Sequence, residues 1–435
     1  MHKLSKYNYL LEDNCKFIYF NGMTGAVFAM NSKEHQKMSS LWEDLTTFQQ
    51  NYPSVFERFA EWGFFVPEEI DEIDRLRFNN KTAVFSDKYY RLIMNPTTDC
   101  TFDCWYCTQH SHDKGGMTEE IRKKIIKHID YMVKVDRITG LHLDWFGGEP
   151  LMYFYETVVP ISEYGRKIAT KNNIPFINQV TTNGYLIDEH MVKKMKDLKF
   201  DRFQITIDGD EKRHNKIRNI GGQPSFQRII DNMILILKNI PDAHITLRIN
   251  FDDSTLKVSN FDNVFKLIPQ QHRKRVFISL QRVWQTVTKN ENQIGNQNLI
   301  KLRDSAINLG YSASETSEFH SGRPIKCYAD RLYNAVIDYD GKVYKCTVNT
   351  QKEAGVLQDN GAIVWNQDIL TRLYSKAPFE NKKCLACKYL PICLAPCTQN
   401  SISSSEEPNR CALDYAELRV EDFIRSLIKT KVPVE

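Results

Sequence analysis

No apolar run in this sequence of 435 residues is long enough to span a membrane, and the richest, "MILILKNI" at 233–240, sits inside an amphipathic pattern. The opening "MHKLSKYNYLLEDNC" lacks the apolar core of a secretion signal, so a cytoplasmic chain is expected. An excess of one charge is also missing. The formal net charge is +4, with both signs interspersed and no clustered basic face, so neither nucleic acid nor membrane is the expected partner. Low-complexity tracts are absent, and the length leaves room for two or three domains with ample core. Cysteine is missing from the whole stretch between Cys107 and Cys327.

Where cysteine does occur, it is crowded. Apart from Cys15, the thiols fall in two groups: Cys100, Cys104 and Cys107, then Cys327, Cys346, Cys384, Cys387, Cys393, Cys397 and Cys411. A reducing cytosol disfavours disulfides, so two metal sites are the natural explanation. Cys15 stands apart beside an expected strand and reads as a buried core residue.

Residues 1–87 read as a small winged-helix-like α+β unit. "CKFIYFNGMTGAVFAMN" suggests two strands around an Asn21-Gly22 turn. Ser32 is the expected N-cap of the following helix, with Glu34 in its first turn. A second helix ends near Gly63 and a strand follows. Over 88–285 strands and amphipathic helices alternate. The strands are "RLIMNP", "GLHLDWFG", "FINQVTTN", "RFQITIDG", "HITLRIN" and "RVFISLQ". Strict alternation predicts right-handed crossovers and a parallel sheet, here an α/β fold of partial (β/α)6 barrel type. Ligands of such sheets gather at the C-terminal strand ends, where the cysteine loop, "GGEP", "TTNG" and "IDGD" fall. Residues 286–320 are polar and weakly patterned, and read as a bridge. In 321–435 a hairpin turning at Asp340-Gly341 precedes a short cysteine-rich segment and a final helix.

The C-x3-C-x2-C spacing of the first group suits three corners of a 4Fe–4S cube, leaving one iron open. Zinc, completed by His110 or His112, is the other reading of the triplet alone. In "GGEP", Gly147 and Gly148 allow close backbone approach, and Glu149 offers an acceptor for an ammonium group. The plainer alternative is a tight turn with a helix-capping acid.

Taken together, the triplet, "WFGGEP", "TTNG" and "ITIDG" at successive strand ends resemble the radical S-adenosylmethionine (SAM) enzymes over 88–285. The resemblance implies that Cys100, Cys104 and Cys107 ligate a 4Fe–4S cluster whose open iron takes the amino and carboxylate groups of SAM. It places Tyr106 by the adenine, Gly147, Gly148 and Glu149 at the methionine amino group, and Asn183 and Thr206 along the SAM site. Arg218 is a candidate for the carboxylate, or else a solvated helix-end arginine. The chemistry so implied is hydrogen abstraction from an unactivated carbon, which demands a dry site and a closely held target.

The second group, C-x13-G-x4-C followed by C-x2-C-x5-C-x3-C and Cys411, resembles the SPASM extension of those enzymes. That resemblance implies two auxiliary 4Fe–4S clusters, three clusters in all. Cys384, Cys387, Cys393 and Cys411 would hold the outer one, and Cys327, Cys346 and Cys397 the inner one, possessing only three protein ligands. Crossing of this kind also occurs in two-cluster ferredoxins.

The expected function is a maturase that installs a thioether or a carbon–carbon or carbon–oxygen cross-link in a ribosomally made peptide, with a flavodoxin or ferredoxin as electron donor. Residues 1–87 would bind the precursor by strand addition, or only shield the barrel. A formylglycine-forming sulfatase maturase is the alternative. Those enzymes carry a basic Asp directly after the G-x4-C cysteine, where this chain has Thr347; the nearby Asp338 and Asp340 read as turn formers. A non-catalytic iron–sulfur electron-transfer protein is the alternative of another class. No residue declares itself the catalytic base.

Overall fold

The computed structural model describes residues 1–109, 115–257, 261–288, 296–315, 319–348, 352–399 and 411–431. The chain opens with β1 (His2–Leu4), then a three-stranded antiparallel sheet of β2 (Asn8–Asp13), β3 (Lys16–Asn21) and β4 (Val27–Asn31). Helices α1 (Ser32–Glu43), α2 (Leu45–Asn51) and α3 (Pro53–Glu61) cover one face, and β5 (Phe65–Pro67) returns to pair with β1. Phe48, Phe56, Phe59, Phe64 and Phe65 fill the space between them with Tyr19.

Three local expectations are corrected here. The β2–β3 turn is Asn14-Cys15, both with positive φ (47° and 62°), so Cys15 is an exposed turn residue and not a core thiol. Asn14 tolerates the left-handed region well, and the tight hairpin imposes it on Cys15 too. Asn21-Gly22 is not the hairpin tip. The chain continues to Gly25 (φ 72°) before turning back into β4, and Gly22 instead lies against Tyr9 and Ile392. The cap of α1 is Asn31, one residue before Ser32. Its side chain accepts from Glu34 N at 3.0 Å, and Glu34 accepts from Asn31 N at 3.0 Å, a reciprocal capping box.

Helix α4 (Glu72–Phe85) leads into the large sheet. Its strands are β6 (Tyr89–Met94), β7 (Gly140–Trp145), β8 (Phe176–Thr182), β9 (Phe200–Asp208), β10 (His244–Phe251) and β11 (Val276–Arg282). Two more parallel strands join its edges: β12 (Ser312–Glu315) beside β11, and β13 (Asn334–Ile337) beside β6. The parallel array thus has eight strands where the alternation suggests six. The segment read as a bridge supplies a helix, Gln297–Asn308, and β12, whose "SASE" has too little apolar alternation to announce itself. Beyond β13 the sheet turns antiparallel through β14 (Lys342–Tyr344), β15 (Gly355–Leu357) and β16 (Ile363–Trp365).

The outward face of the parallel strands is apolar. Leu92, Leu143, Ile205, Leu247 and Ile278 pack there with helix residues such as Ile125, Ile129, Ile161 and Ile229. Alternate positions on the inward face are polar, as in Thr181, Gln204, Thr206 and Asp208. No described helix is long and apolar enough to cross a membrane.

Candidate active site

The first cysteine loop leaves the end of β6 and is clasped by the end of β7. Gly148 N donates to Thr97 O at 3.0 Å and Glu149 N to Asp99 O at 2.8 Å. A Cβ on Gly147 would stand 2.4 Å from Thr97 O, and one on Gly148 would stand 2.0 Å from Asp99 O. The glycine pair is therefore demanded by the cysteine loop itself, a use the sequence reading assigned to a ligand.

Glu149 is fully buried. Its carboxylate accepts from Leu151 N (3.0 Å), the Thr182 hydroxyl (2.7 Å) and Asn183 N (2.8 Å). Burial pushes its pKa up to about 7 against the pull of those donors. Three of about four lone-pair sites are filled, so one remains for a cationic ligand. The acid also caps the short helix Pro150–Tyr153. The plainer reading, a tight turn with a helix-capping acid, is thus met at this side chain. Asn183 reaches Cys100 Sγ at 3.8 Å and the Thr101 hydroxyl at 2.8 Å, tying "TTNG" to the cysteine loop.

Tyr106 anchors the other side. Its hydroxyl donates to the Asp208 carboxylate (2.6 Å to the nearer oxygen) and meets Arg218 Nη2 at 2.8 Å and Asn250 Nδ2 at 3.0 Å. Arg218 also pairs with Asp208 through Nε. Arg218 is buried, so the solvated helix-end reading is wrong. Asp208 and Asn250 escaped the sequence reading as site residues. The signal was there: each is a polar residue at the inward-facing C-terminal end of an apolar strand. Thr206 lies on the same inward face of β9, buried and two residues before Asp208.

Cys104 is buried and Cys100 and Cys107 are partly so. Burial raises the Cys100 and Cys104 thiols to about 11 each; Arg218 pulls the other way at Cys104. Whether such thiols suit an iron–sulfur cluster is tested by their donors. Phe102 N points at Cys100 Sγ (3.5 Å), Gln109 N at Cys107 Sγ (3.4 Å), Val348 N at Cys346 Sγ (3.4 Å) and Tyr389 N at Cys387 Sγ (3.4 Å). Each is a backbone amide two residues after its cysteine. Donors aimed at sulfur stabilise cluster-bound thiolates and tune their potentials, so these residues fit such a group. Among the described residues no three Cys, His, Asp or Glu side chains gather as ligands of a single ion, and thiols on separate corners of a cube need not. His110 and His112, the partners of the zinc reading, lie outside the described residues.

The second group divides in two. Cys327, raised by burial to about 11, is pushed further by Asp330, Cys346 and Cys397 nearby. Asp330 joins their loops, accepting from Cys327 N at 3.0 Å and the Thr398 hydroxyl at 2.9 Å. Cys384 is likewise raised by burial, with Cys411 and Cys387 close enough to add to it. Asn381 Nδ2 donates to Cys384 Sγ at 3.1 Å. Cys387 and Cys393 both lie near Tyr9 of the N-terminal unit. Thr347 is held by Tyr328, hydroxyl to hydroxyl at 2.8 Å, and its carbonyl accepts from Gln109 Nε2 at 3.2 Å. The two cysteine groups are thereby bridged directly.

Residues 94–256 match the family model of the radical SAM superfamily. The cysteine-type anaerobic sulfatase-maturating enzyme of Clostridium perfringens (strain 13) is 21% identical over 350 residues, covering 74% of this chain and 92% of the relative. The solved structure of native anSMEcpe with bound AdoMet covers 79% of this chain and 97% of its own at TM-score 0.57 and 19% identity. Streptococcus suis SuiB bound to S-adenosylmethionine covers 95% of this chain and 99% of its own at TM-score 0.52 and 14% identity. At these identities the structural likenesses establish a shared fold.

Proposed function

Because residues 94–256 form a radical SAM domain, we propose that this chain is a peptide-modifying radical SAM enzyme with SPASM-type auxiliary clusters. The carrying observation is that four cysteines on three loops each receive a backbone amide at sulfur, with Glu149 buried beside the first loop. Cys100, Cys104 and Cys107 would hold the first cluster. Cys384, Cys387, Cys393 and Cys411 would hold an outer auxiliary cluster, and Cys327, Cys346 and Cys397 an inner one. When bound, the first cluster and SAM supply one-electron cleavage and hydrogen abstraction from carbon.

The chain's own residues do the rest. Glu149 keeps one acceptor site for the methionine ammonium. Gly147 and Gly148 bring the cysteine loop close, and Asn183 and Thr206 line the cleft. Tyr106, Asp208 and Arg218 form a rigid wall that excludes water from one side. A flavodoxin or ferredoxin is the natural electron donor, and a cytoplasmic setting suits such clusters.

A ribosomally made peptide as substrate, receiving a thioether or a carbon–carbon or carbon–oxygen cross-link, is supported by near full-length likeness to SuiB, which has also been solved bound to precursor peptide SuiA at TM-score 0.53. Residues 1–87 would then grip the precursor, with 321–435 carrying the auxiliary clusters. Likeness to the sulfatase-maturating enzyme favours a second reading, formylglycine formation. Against it, Thr347 stands where that reaction's carboxylate base is expected, and its hydroxyl is engaged by Tyr328. The test is anaerobic reconstitution followed by dithionite and SAM. Formation of 5′-deoxyadenosine is expected; its absence from a protein with intact clusters would leave an electron carrier instead. Mass spectrometry after co-expression with a candidate precursor should then show a loss of two hydrogens for a cross-link.

A further inference from the structure

At two of the sulfurs that accept a backbone amide, the donating peptide is itself gripped from behind. Tyr389 N donates to Cys387 Sγ at 3.4 Å, and the carbonyl of the same planar peptide, Lys388 O, accepts from the Tyr9 hydroxyl. Val348 N donates to Cys346 Sγ at 3.4 Å, and the carbonyl of that peptide, Thr347 O, accepts from Gln109 Nε2 at 3.2 Å. Each gripping side chain comes from a distant part of the chain. Tyr9 belongs to β2 of the N-terminal unit, and Gln109 follows Cys107 in the first cysteine loop. The Tyr9 ring is buried, lies 5.6 Å from its cross-strand partner Phe20 between centroids, and stacks on Tyr389 at 5.9 Å and 12°. A Cβ on Gly22 would stand 3.1 Å from Tyr9 Cε2 and 3.5 Å from its Oη, so the chain closes tightly over that side of the ring. Gln109 is half-buried, and its own N–H donates to Cys107 Sγ at 3.4 Å.

A donor on a peptide carbonyl fixes the plane of that peptide and polarises its N–H, which strengthens the bond the N–H makes. Hydrogen bonds to cluster sulfur favour the reduced, more negative state and so raise the potential. We propose that Tyr9 and Gln109 are positioning residues that set the reduction potentials of the outer and inner auxiliary clusters, each by clamping one donor peptide. This rests on the auxiliary-cluster assignment of Cys387 and Cys346. By linkage, a contact that favours the reduced cluster is tighter when the cluster is reduced. The N-terminal unit and the first cysteine loop therefore each respond to the redox state of the auxiliary loop they touch.

Redox titration of the full-length, cluster-loaded chain, followed by EPR, reads the potentials without any turnover. The signal that responds to added SAM marks the first cluster, and the signal missing from Cys384→Ala marks the outer one. Tyr9→Phe deletes the hydroxyl and keeps the ring. The outer cluster should become about threefold harder to reduce, about 30 mV for one electron, with the inner one unmoved. Gln109→Met keeps the side-chain length and removes the donor. The inner cluster should shift down by a similar factor while the outer one stays. Iron per chain should match the wild type in both variants. Replacing Tyr9 with 3-fluorotyrosine keeps the packing and sharpens the donor, so the outer potential should move the opposite way; this arm decides if Tyr9→Phe sheds iron. Unchanged potentials, or both auxiliary clusters moving together in either variant as a general loosening would produce, overturn the inference alone. A fully iron-loaded wild type showing only the SAM-responsive cluster overturns the auxiliary-cluster reading, and this inference with it.

Discussion

Single side chains decide whether the first cluster loop can exist. Cys100→Ala removes one of the three thiols proposed to hold the first cluster, and complete loss of 5′-deoxyadenosine formation is expected by chromatography. Gly148→Ala is the subtler probe. Its Cβ would collide with the Asp99 carbonyl at 2.0 Å, which only a shift of the cysteine loop relieves. Iron bound after anaerobic reconstitution should fall by half or more at this site, while the auxiliary iron stays. Tyr106→Phe leaves Asp208 and Arg218 paired but strips Asn250 of its partner hydroxyl. A loss of about 1–3 kcal/mol in urea unfolding is expected from the unsatisfied buried groups. An unchanged midpoint would mean that water takes the hydroxyl's place.

Helices and turns carry their own tests. The α1 cap predicts that Asn31→Ala costs about 1 kcal/mol, whereas Ser32→Ala, already inside the helix, costs much less. The reverse order would restore Ser32 as the cap. Helix α5 (Glu119–Lys134) holds a second lever. Its His128 lies between the Tyr90 hydroxyl (2.6 Å) and the Gly361 carbonyl (2.6 Å), joining the barrel helix to the β15–β16 turn. Burial lowers this imidazole to about 4 from its usual 6.5. Its folded value is below its unfolded one, so the unfolded chain binds more protons between the two. Stability from this group is therefore intact above about pH 6.5 and is lost as pH falls toward 4, by up to about 3 kcal/mol. Denaturant midpoints across that window should be flatter in His128→Gln than in the wild type.

Over the whole molecule, the N-terminal unit rests on the cysteine-rich end. Tyr9 donates its hydroxyl to the Lys388 carbonyl and stacks on Tyr389, between Cys387 and Cys393 in sequence. From α4, Arg77 forks onto Glu380 (2.8 and 3.0 Å) and Asn80 donates to Pro324 O at 2.9 Å. A unit that grips a precursor would thus stand in direct contact with the loop proposed to hold the outer cluster. Cys384→Ala should spare SAM cleavage more than product formation, read as 5′-deoxyadenosine against modified peptide. If both fall together, the outer loop serves mainly to hold the fold.

Much of this was legible in the chain itself wherever the information is local. Cysteine spacing, paired glycines, strand–helix alternation and the Asp340-Gly341 turn all depend on residues within a few positions of each other, and covalent geometry enforces them. The one-residue error at the α1 cap and the misplaced hairpin tip are failures of that same local reasoning: Asn31 and Ser32 are both capping types, and Gly25 is a second turn-forming glycine three residues past Gly22. What tertiary structure alone decided joins residues far apart in sequence. Tyr106 meets Asp208, Arg218 and Asn250; Cys327 meets Cys397; β12 and β13 close the edges of the sheet; Tyr9 reaches Lys388. Such contacts are selected by burial and by pairing of buried charge across the whole fold. Nothing in the spacing along the chain records which distant partner satisfies them.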